Sequence, residues 1–276
     1  MLRTLMSCVV VALVIAGAAQ GDVLTIENGM ANYSSLVGDA ALRSEGTVGS
    51  GLWADGNIGN STFAGSHRMY PDVGYPDTRG PRRYLVRYDV SSIPAGSIIN
   101  SATMSLWFQR SGSTAPEISG YKLSRLQPGK DWVEGVGQAP ATDGSVTWNS
   151  QKSYAVGDPQ RVAWATPGAT GATDIDLGTT ITFDKTGVGL SEWKSFDVTS
   201  WVQAWVNNPA ANTGTVLWGG SGPGGGLQQY WMIVGKETTD VVPNDVNKPR
   251  LVIDYTPEPA TVMLLGLGLL GLGRRR

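Results

Sequence analysis

Between Arg82 and Phe108 the chain alternates with period 2 in two runs. Tyr84, Val86, Tyr88 and Val90 alternate with Leu85, Arg87 and Asp89, and Ala102, Met104, Leu106 and Phe108 alternate with Thr103, Ser105 and Trp107. Successive side chains on a strand point to opposite faces, so this rhythm predicts two facing strands. Ile93-Pro94-Ala95-Gly96 lies between them. Its proline fixes φ and its glycine tolerates positive φ, which predicts a chain reversal and hence a central hairpin. A sheet built this way must bury one face on a second layer.

The same pattern places further strands at Val23 to Ile26, Tyr121 to Leu126, Trp193 to Val198, Val216 to Trp218, Tyr230 to Val234 and Arg250 to Tyr255, with short pairings at Val146-Thr147-Trp148 and Trp164. The stretch from Gly135 to Asp176 otherwise reads as loop. One helix is predicted. Thr199 is its expected N-cap, Trp201, Val202, Trp205 and Val206 recur at helical spacing, and Asn207-Asn208-Pro209 stops it. A helix this short is unstable alone, so it must dock on the sheets. The segment from Gly56 to Pro81 reads as a long loop, rich in Gly, Pro, Asp and Tyr, and it holds the sequence's single histidine, His67. Loops beyond about 12–15 residues are often functional or disordered.

Five segments carry a family resemblance. LVRYDVSSIPAGSIINSATMSLW, DWVEGVG (Asp131 to Gly137), VTWNS with WATPGA, FDVTSWVQAWVNNPAANTG and KPRLVIDYT follow one another in the order and spacing of the DNRLRE domains, which are also classed as carbohydrate-binding module family 96. The resemblance runs from about Asp39 to Thr256, and Asp39 to Gly46 and Leu52 to Gly56 resemble the family's opening and second strands. It implies an all-β fold, a jelly-roll-type antiparallel β-sandwich with one short docked helix, occupying residues 22–256. It also implies a role in holding enzymes or cell surfaces on polysaccharide.

The two ends read as addresses. Arg3, the apolar run Val9 to Ala16 and the small residues Ala16-Gly17-Ala18-Ala19 have the order of a secretory signal peptide over residues 1–21, cleaved by signal peptidase. A lipoprotein reading fails because the apolar run follows Cys8 instead of preceding it. At the other end Pro257-Glu258-Pro259 precedes twelve apolar or glycine residues, Val262 to Gly273, and then Arg274-Arg275-Arg276. Residues 257–276 closely resemble the PEP-CTERM sorting signal. That resemblance implies transient membrane insertion, processing by an exosortase, and release or attachment at the surface of a Gram-negative cell. The apolar run is shorter than the roughly 20 residues of a spanning helix, and the arginines beyond it would hold the C-terminus on the cytoplasmic side. A plain tail anchor has the same topology but leaves Pro-Glu-Pro unexplained.

Composition narrows the chemistry. With 37 glycines, 10 tryptophans and 16% charged residues, the 276-residue chain suits many short strands joined by tight turns. The formal charge is -2. Trimming both ends removes four of the 21 basic residues and one of the 23 acidic ones, which takes the charge to about -5. A mildly acidic domain does not suit nucleic acid, whose binding needs clustered Lys and Arg. Cys8, the sole cysteine, lies in the leader, so zinc sites of His and Cys are excluded, and a Ser-His-Asp triad would have to use His67, which has no nucleophile elbow nearby.

Asp131 and Glu134 are the obvious carboxylate pair for a glycosidase, although their segment reads more simply as a structural turn. A lyase acting through Tyr or His with Arg or Asn finds its residue types but no diagnostic spacing. Arg87 and Asp89 share a face and are expected to form a structural ion pair. Asp39 and Asp197 are the candidates for a structural calcium, without diagnostic spacing. Sugar rings stack their C–H faces on aromatic rings, which makes Trp53, Trp107, Trp148, Trp164 and Trp231, beside loops or on a polar face, the candidate polysaccharide contacts. Each could instead be core, as Trp132, Trp201 and Trp205 are expected to be. The chain therefore reads as an exported, exosortase-sorted, non-catalytic protein of the cell surface or extracellular matrix that binds polysaccharide. The alternatives are a purely structural surface protein, or a polysaccharide lyase or hydrolase.

Overall fold

Arg82 to Tyr88 and Ile98 to Arg110 are both strands, but they belong to different sheets and do not pair as a hairpin. The Pro94-Gly96 turn carries the chain from one layer to the other, so the two strands face each other across the core. The computed structural model describes residues 21–44, 47–48, 51–57, 66–69, 72, 80–110, 117–135, 140–185, 191–221, 231–237 and 247–258. In chain order the strands are β1 (Asp22–Ile26), β2 (Val37–Arg43), β3 (Thr47–Val48), β4 (Gly51–Leu52), β5 (Ser66–Met69), β6 (Arg82–Tyr88), β7 (Ile98–Arg110), β8 (Ile118–Arg125), β9 (Ser150–Lys152), β10 (Val162–Ala163), β11 (Ile181–Lys185), β12 (Glu192–Asp197), β13 (Thr215–Ser221), β14 (Trp231–Val234) and β15 (Arg250–Thr256). Two helices accompany them, α1 (Tyr33–Leu36) and α2 (Thr199–Asn207).

The first sheet runs β1-β15-β7-β14-β5, with β12 on the other edge of β7. The second runs β11-β8-β13-β6-β2. All pairings are antiparallel, and the chain changes layer at β1 to β2, β5 to β6, β6 to β7, β7 to β8, β11 to β12, β12 to β13 and β13 to β14, the crossing habit of a jelly-roll sandwich. The main core lies between the layers. Tyr84, Val86, Tyr88, Leu123 and Leu217 of one sheet meet Met104, Leu106, Phe108, Leu251 and Ile253 of the other.

The helix α2 closes one end of this core with Trp201, Val202, Trp205 and Val206. Its start differs from expectation. The Asp197 carboxylate, not Thr199, accepts the first-turn N–H of Thr199 at 2.9 Å. The Thr199 hydroxyl oxygen accepts instead from Ala102 N–H at 2.9 Å and so ties the helix to β7. Gln203 adds a second tie, accepting from Ile99 N–H and donating to Ser97 C=O.

The second sheet is buried on both faces. Ala40, Leu42, Leu85 and Val216, the opposite parity from the main core, pack under Trp132, Val146, Trp148, Trp164, Ala169 and Ile175. The stretch expected to be loop, Gly135 to Asp176, is thus in its described part a folded cover over this sheet. Residues 146–148 are not strand, and the short pairing in this region is β9 with β10. The carboxylate of Asp174, fully buried, knits the cover together by accepting from the N–H groups of Ala165, Thr166 and Gly171 and pairing with Lys130 at 3.0 Å.

Three further points depart from the sequence reading. β11 and the single-turn α1 were not expected. β13 continues through Gly219 and Gly220 to Ser221. His67 sits in a strand, opposite Ile233 of β14, inside the segment expected to be a loop.

Candidate functional site

Among the described residues, two places combine exposure with chemistry. The first is a cleft of about 620 Å³ at the end of the sandwich where α1, the start of β2, the end of β6 and the last turn of α2 meet the segment Trp132 to Glu134. Arg87, Glu134, Lys236 and the hydroxyl-bearing Ser34, Ser35 and Ser91 line it.

Behind Glu134 and Lys236 lies a charged cluster between the layers. Asp39 lies on the inner face of β2 because it is opposite Val86, and it is fully buried. Its Oδ2 accepts from the Tyr84 hydroxyl at 2.6 Å and from Lys236 N–H at 2.9 Å. The Lys236 ammonium donates to Val37 C=O at 2.9 Å, pairs closely with Glu134 and reaches Glu237 at 3.3 Å. One oxygen each from Asp39, Glu134 and Glu237 lies within 4.8 Å of the others, a group that could hold a metal ion.

Crowding of like charge out of water shows in the titration of these groups. Burial, then the charges of Asp39 and Glu134, pushes Glu237 up to about 9. Burial and the Asp39 charge also raise Glu134. Burial works to lower Lys236, but its hydrogen bond and charge interaction with Glu134 outweigh this and hold it above the ordinary lysine range. Tyr84 and Tyr88 are pushed far up, first by burial, then by Asp39 for Tyr84 and by Tyr33 and Asp39 for Tyr88.

The second place is the outer face of the first sheet. β12 pairs with β7 so that Trp193 is opposite Trp107, and the two rings meet edge to face with centroids 5.5 Å apart. The Arg250 guanidinium lies 4.6 Å from the centre of the Trp193 ring. Directly beside them Ser105 and Ser195 exchange a 2.9 Å hydrogen bond. Both indoles are half-buried, so each keeps part of its surface open.

The other sequence candidates fall elsewhere. Trp231 is fully buried in the main core, with the Lys185 ammonium 3.9 Å from its ring centre. Trp148 and Trp164 are buried in the second core. Arg83 stacks 4.5 Å from the Trp148 ring and donates to Gly168 C=O at 2.7 Å, and the Trp164 indole N–H donates to Thr147 C=O. At Gly168, φ is +86° and an added Cβ would lie 2.2 Å from the Arg83 guanidinium, so a side chain there would break this stack. None of these three rings has a free face for a sugar: Trp231 lies between the two sheets, and Trp148 and Trp164 lie in the core beneath the cover of the second sheet. The side chain of Trp53 lies outside the described residues. Trp107 is half-buried on the outer face, and Trp193, opposite it in the register of β12 against β7, was not among the sequence candidates.

Arg87 and Asp89 do not pair. Arg87 joins Asp131 at 2.6 Å and lies 5.1 Å from the Trp132 ring centre, while Asp89 accepts from Ser91 N–H. Asp131 and Glu134, the expected carboxylate pair, therefore serve different cations. Of the two calcium candidates, Asp39 belongs to the acidic cluster and Asp197 to the helix start. Glu237 was missed because no spacing ties it to Asp39 or Glu134. At the C-terminus Pro257 and Glu258 follow directly on β15, and an added Cβ at Gly96, where φ is +81°, would meet the Glu258 carboxylate at 2.2 Å. Pro259 and Arg274 to Arg276 lie outside the described residues, as do residues 1–20.

A family model of the PEP-CTERM protein-sorting motif matches residues 256–276. No curated protein matches the chain. The motif makes the chain an exosortase substrate, exported and sorted to the cell surface of a Gram-negative bacterium.

Proposed function

We propose that the exported sandwich is a non-catalytic polysaccharide-binding module that stacks sugar rings on Trp107 and Trp193 and pairs acidic sugar groups with Arg250. The observation that carries this reading is the half-open indole pair on the outer face of the first sheet, with a guanidinium and two hydroxyls in the adjacent register position. Indoles offer apolar faces to sugar C–H groups, and an arginine beside them favours a carboxylated or sulfated chain. The five-segment resemblance to DNRLRE domains supports the same role, as does sorting to the cell surface.

Affinity electrophoresis through gels containing acidic polysaccharides, alginate among them, tests it. The wild-type protein should be retarded, and Trp193→Ala and Arg250→Ala should migrate as they do in a polymer-free gel. Unretarded wild-type protein across neutral and acidic polymers favours the alternative of a structural surface protein. Release of unsaturated or reducing ends from the polymer would favour the enzyme.

A further inference from the structure

We propose that the corner of the sandwich carrying Val23, Ile98 and Val252 seats on the lipid bilayer that holds the C-terminal segment, so that the folded domain itself contacts the membrane before the sorting signal is processed. This contact does not depend on the polysaccharide reading.

The chain enters and leaves the domain side by side. β1 and β15 pair antiparallel with Asp22 opposite Tyr255, so the place where the predicted leader joins the fold is one strand spacing, about 4.8 Å, from the place where the fold gives way to the sorting signal. Each end continues into an apolar run that the sequence assigns to a membrane, Val9 to Ala16 before β1 and Val262 to Gly273 after β15. The same corner therefore faces the membrane during export and again while the sorting signal is inserted.

Little chain separates this corner from lipid. β15 runs to Thr256, and Glu258 still lies against the domain, since a Cβ added at Gly96 would clash with its carboxylate. Only Pro259, Ala260 and Thr261 then precede Val262, at most about 14 Å of chain. The apolar run is itself short. Twelve residues reach about 18 Å even as ideal helix, against about 30 Å of hydrocarbon, so a run anchored by Arg274 to Arg276 on the far side draws the residues before it toward the near interface.

The surface at this corner suits a bilayer. Val23 is 66% exposed, Ile98 is 63% exposed, and Val252 is exposed as well. The register puts all three on the outer face of the first sheet. Val23 is opposite Asp254, Ile98 is opposite Thr256, and Val252 precedes Asp254 by two residues, which confines the group to about 15 Å. A single exposed apolar side chain is ordinary, but three gathered at the corner where both ends emerge are not. The charged groups nearest them in the register are the carboxylates of Asp22, Asp254 and Glu258. The contact is therefore apolar, and zwitterionic lipid fits it better than anionic lipid. Trp107 lies nine residues along β7 from Ile98, about 30 Å away, which leaves the indole pair at the end of the sheet remote from the bilayer.

Site-directed fluorescence in vesicles provides the test. Exported from a host without exosortase, the chain loses Cys8 with the leader and keeps the C-terminal segment, so single cysteines can carry the fluorophore NBD. Val23→Cys and Ile98→Cys are compared with Val156→Cys, a 92% exposed position in the cover over the second sheet. In phosphatidylcholine vesicles the labels at Val23→Cys and Ile98→Cys should lose quenching by iodide and gain quenching by spin-labelled lipid, while the label at Val156→Cys stays open to iodide. Phosphatidylglycerol should protect the corner less. Ile98→Asp, a change at an exposed position, should restore iodide quenching to the label at Val23→Cys. Corner labels as open to iodide as the one at Val156→Cys overturn the proposal, and so does protection that requires added exosortase, which would make the corner a protein-docking surface. Protection unchanged by Ile98→Asp, or greater in phosphatidylglycerol, also overturns it, because the tether or charge would then hold the domain in place of the apolar corner.

Discussion

Arg87 reaches across to Asp131, with 2.6 Å between Nη1 and Oδ1, and leaves Asp89, two residues along the chain, to hold the turn at Ser91. Alternation puts Arg87 and Asp89 on the same outward face, but side chains at i and i+2 of extended chain stand too far apart to outcompete a carboxylate brought in from β8's following loop. Since the Asp131 side chain is 58% exposed, the ion pair itself contributes little. Asp131→Ala should cost about 0.5 kcal/mol in urea unfolding. Arg87→Ala should cost about 1 kcal/mol, because it also uncovers the Trp132 ring. A double-mutant cycle measures the difference.

The indoles divide into two classes, and substitutions should separate them. Trp148→Ala empties part of the second core and should cost about 3–5 kcal/mol. At a marginal total stability that is enough to leave much of the protein unfolded. Trp193→Ala, on the outer face, should cost no more than about 1–2 kcal/mol, the worth of its edge-to-face contact and partial burial. It should nevertheless abolish retention by acidic polysaccharide. Denaturant melts paired with affinity gels check both halves.

The start of α2 should be sensitive to acid. Asp197 is held below the usual carboxylate range first by the hydrogen bond from the Thr199 hydroxyl and then by the Thr199 N–H. Its folded value lies below its unfolded one. The stability it contributes is therefore fully present above the ordinary aspartate value near about 3.9, and is lost as pH falls through the lower folded value. Asp197→Ala should cost about 1 kcal/mol at pH 7, typical of a lost helix-start acceptor, and almost nothing in acid below the folded value. Urea melts of both proteins across that range give the comparison.

How much of this was written in local pattern depends on whether a strand buries one face or two. β6, β7, β12 and β15 were legible because period 2 survives wherever one face meets the core and the other meets water or a thin cover. β11 was not, because its alternation rests on only two apolar residues, Ile181 and Phe183, both partly buried at a sheet edge. The cover over the second sheet was missed for a related reason. Its residues make irregular turns stabilised by Asp174 and Arg83, and such turns leave no period to read. Trp148 and Trp164 therefore looked like loop residues. The acidic cluster joins β2, the segment after β8 and the segment after β14, nearly 200 residues of separation, so no spacing connects Asp39 to Glu134 or Glu237.

A buried lysine gives another test of the main core. Lys185 is fully buried between the Glu192 carboxylate at 2.8 Å and the face of Trp231. Glu192 also pairs with Lys194 at 3.2 Å and is held below its ordinary range by these two lysines, against the opposing effect of burial. Glu192→Gln should cost about 2 kcal/mol. That is less than the 3–5 kcal/mol of a fully enclosed pair, because Glu192 keeps some solvent contact. Lys185→Met, which removes the buried charge altogether, should cost less than Glu192→Gln. The opposite order in chemical unfolding would show that the cation over Trp231 contributes more than its desolvation costs.

The most direct test is hydroxyl-radical footprinting of the tryptophans, read by mass spectrometry with and without a retained acidic polysaccharide. Trp107 and Trp193 should be oxidised in the free protein and protected when the polymer binds, while Trp148, Trp164 and Trp231 should stay unmodified in both. Oxidation of Trp148 or Trp231 in the free folded protein, or saturating polymer that leaves Trp107 and Trp193 as reactive as before, would contradict the account.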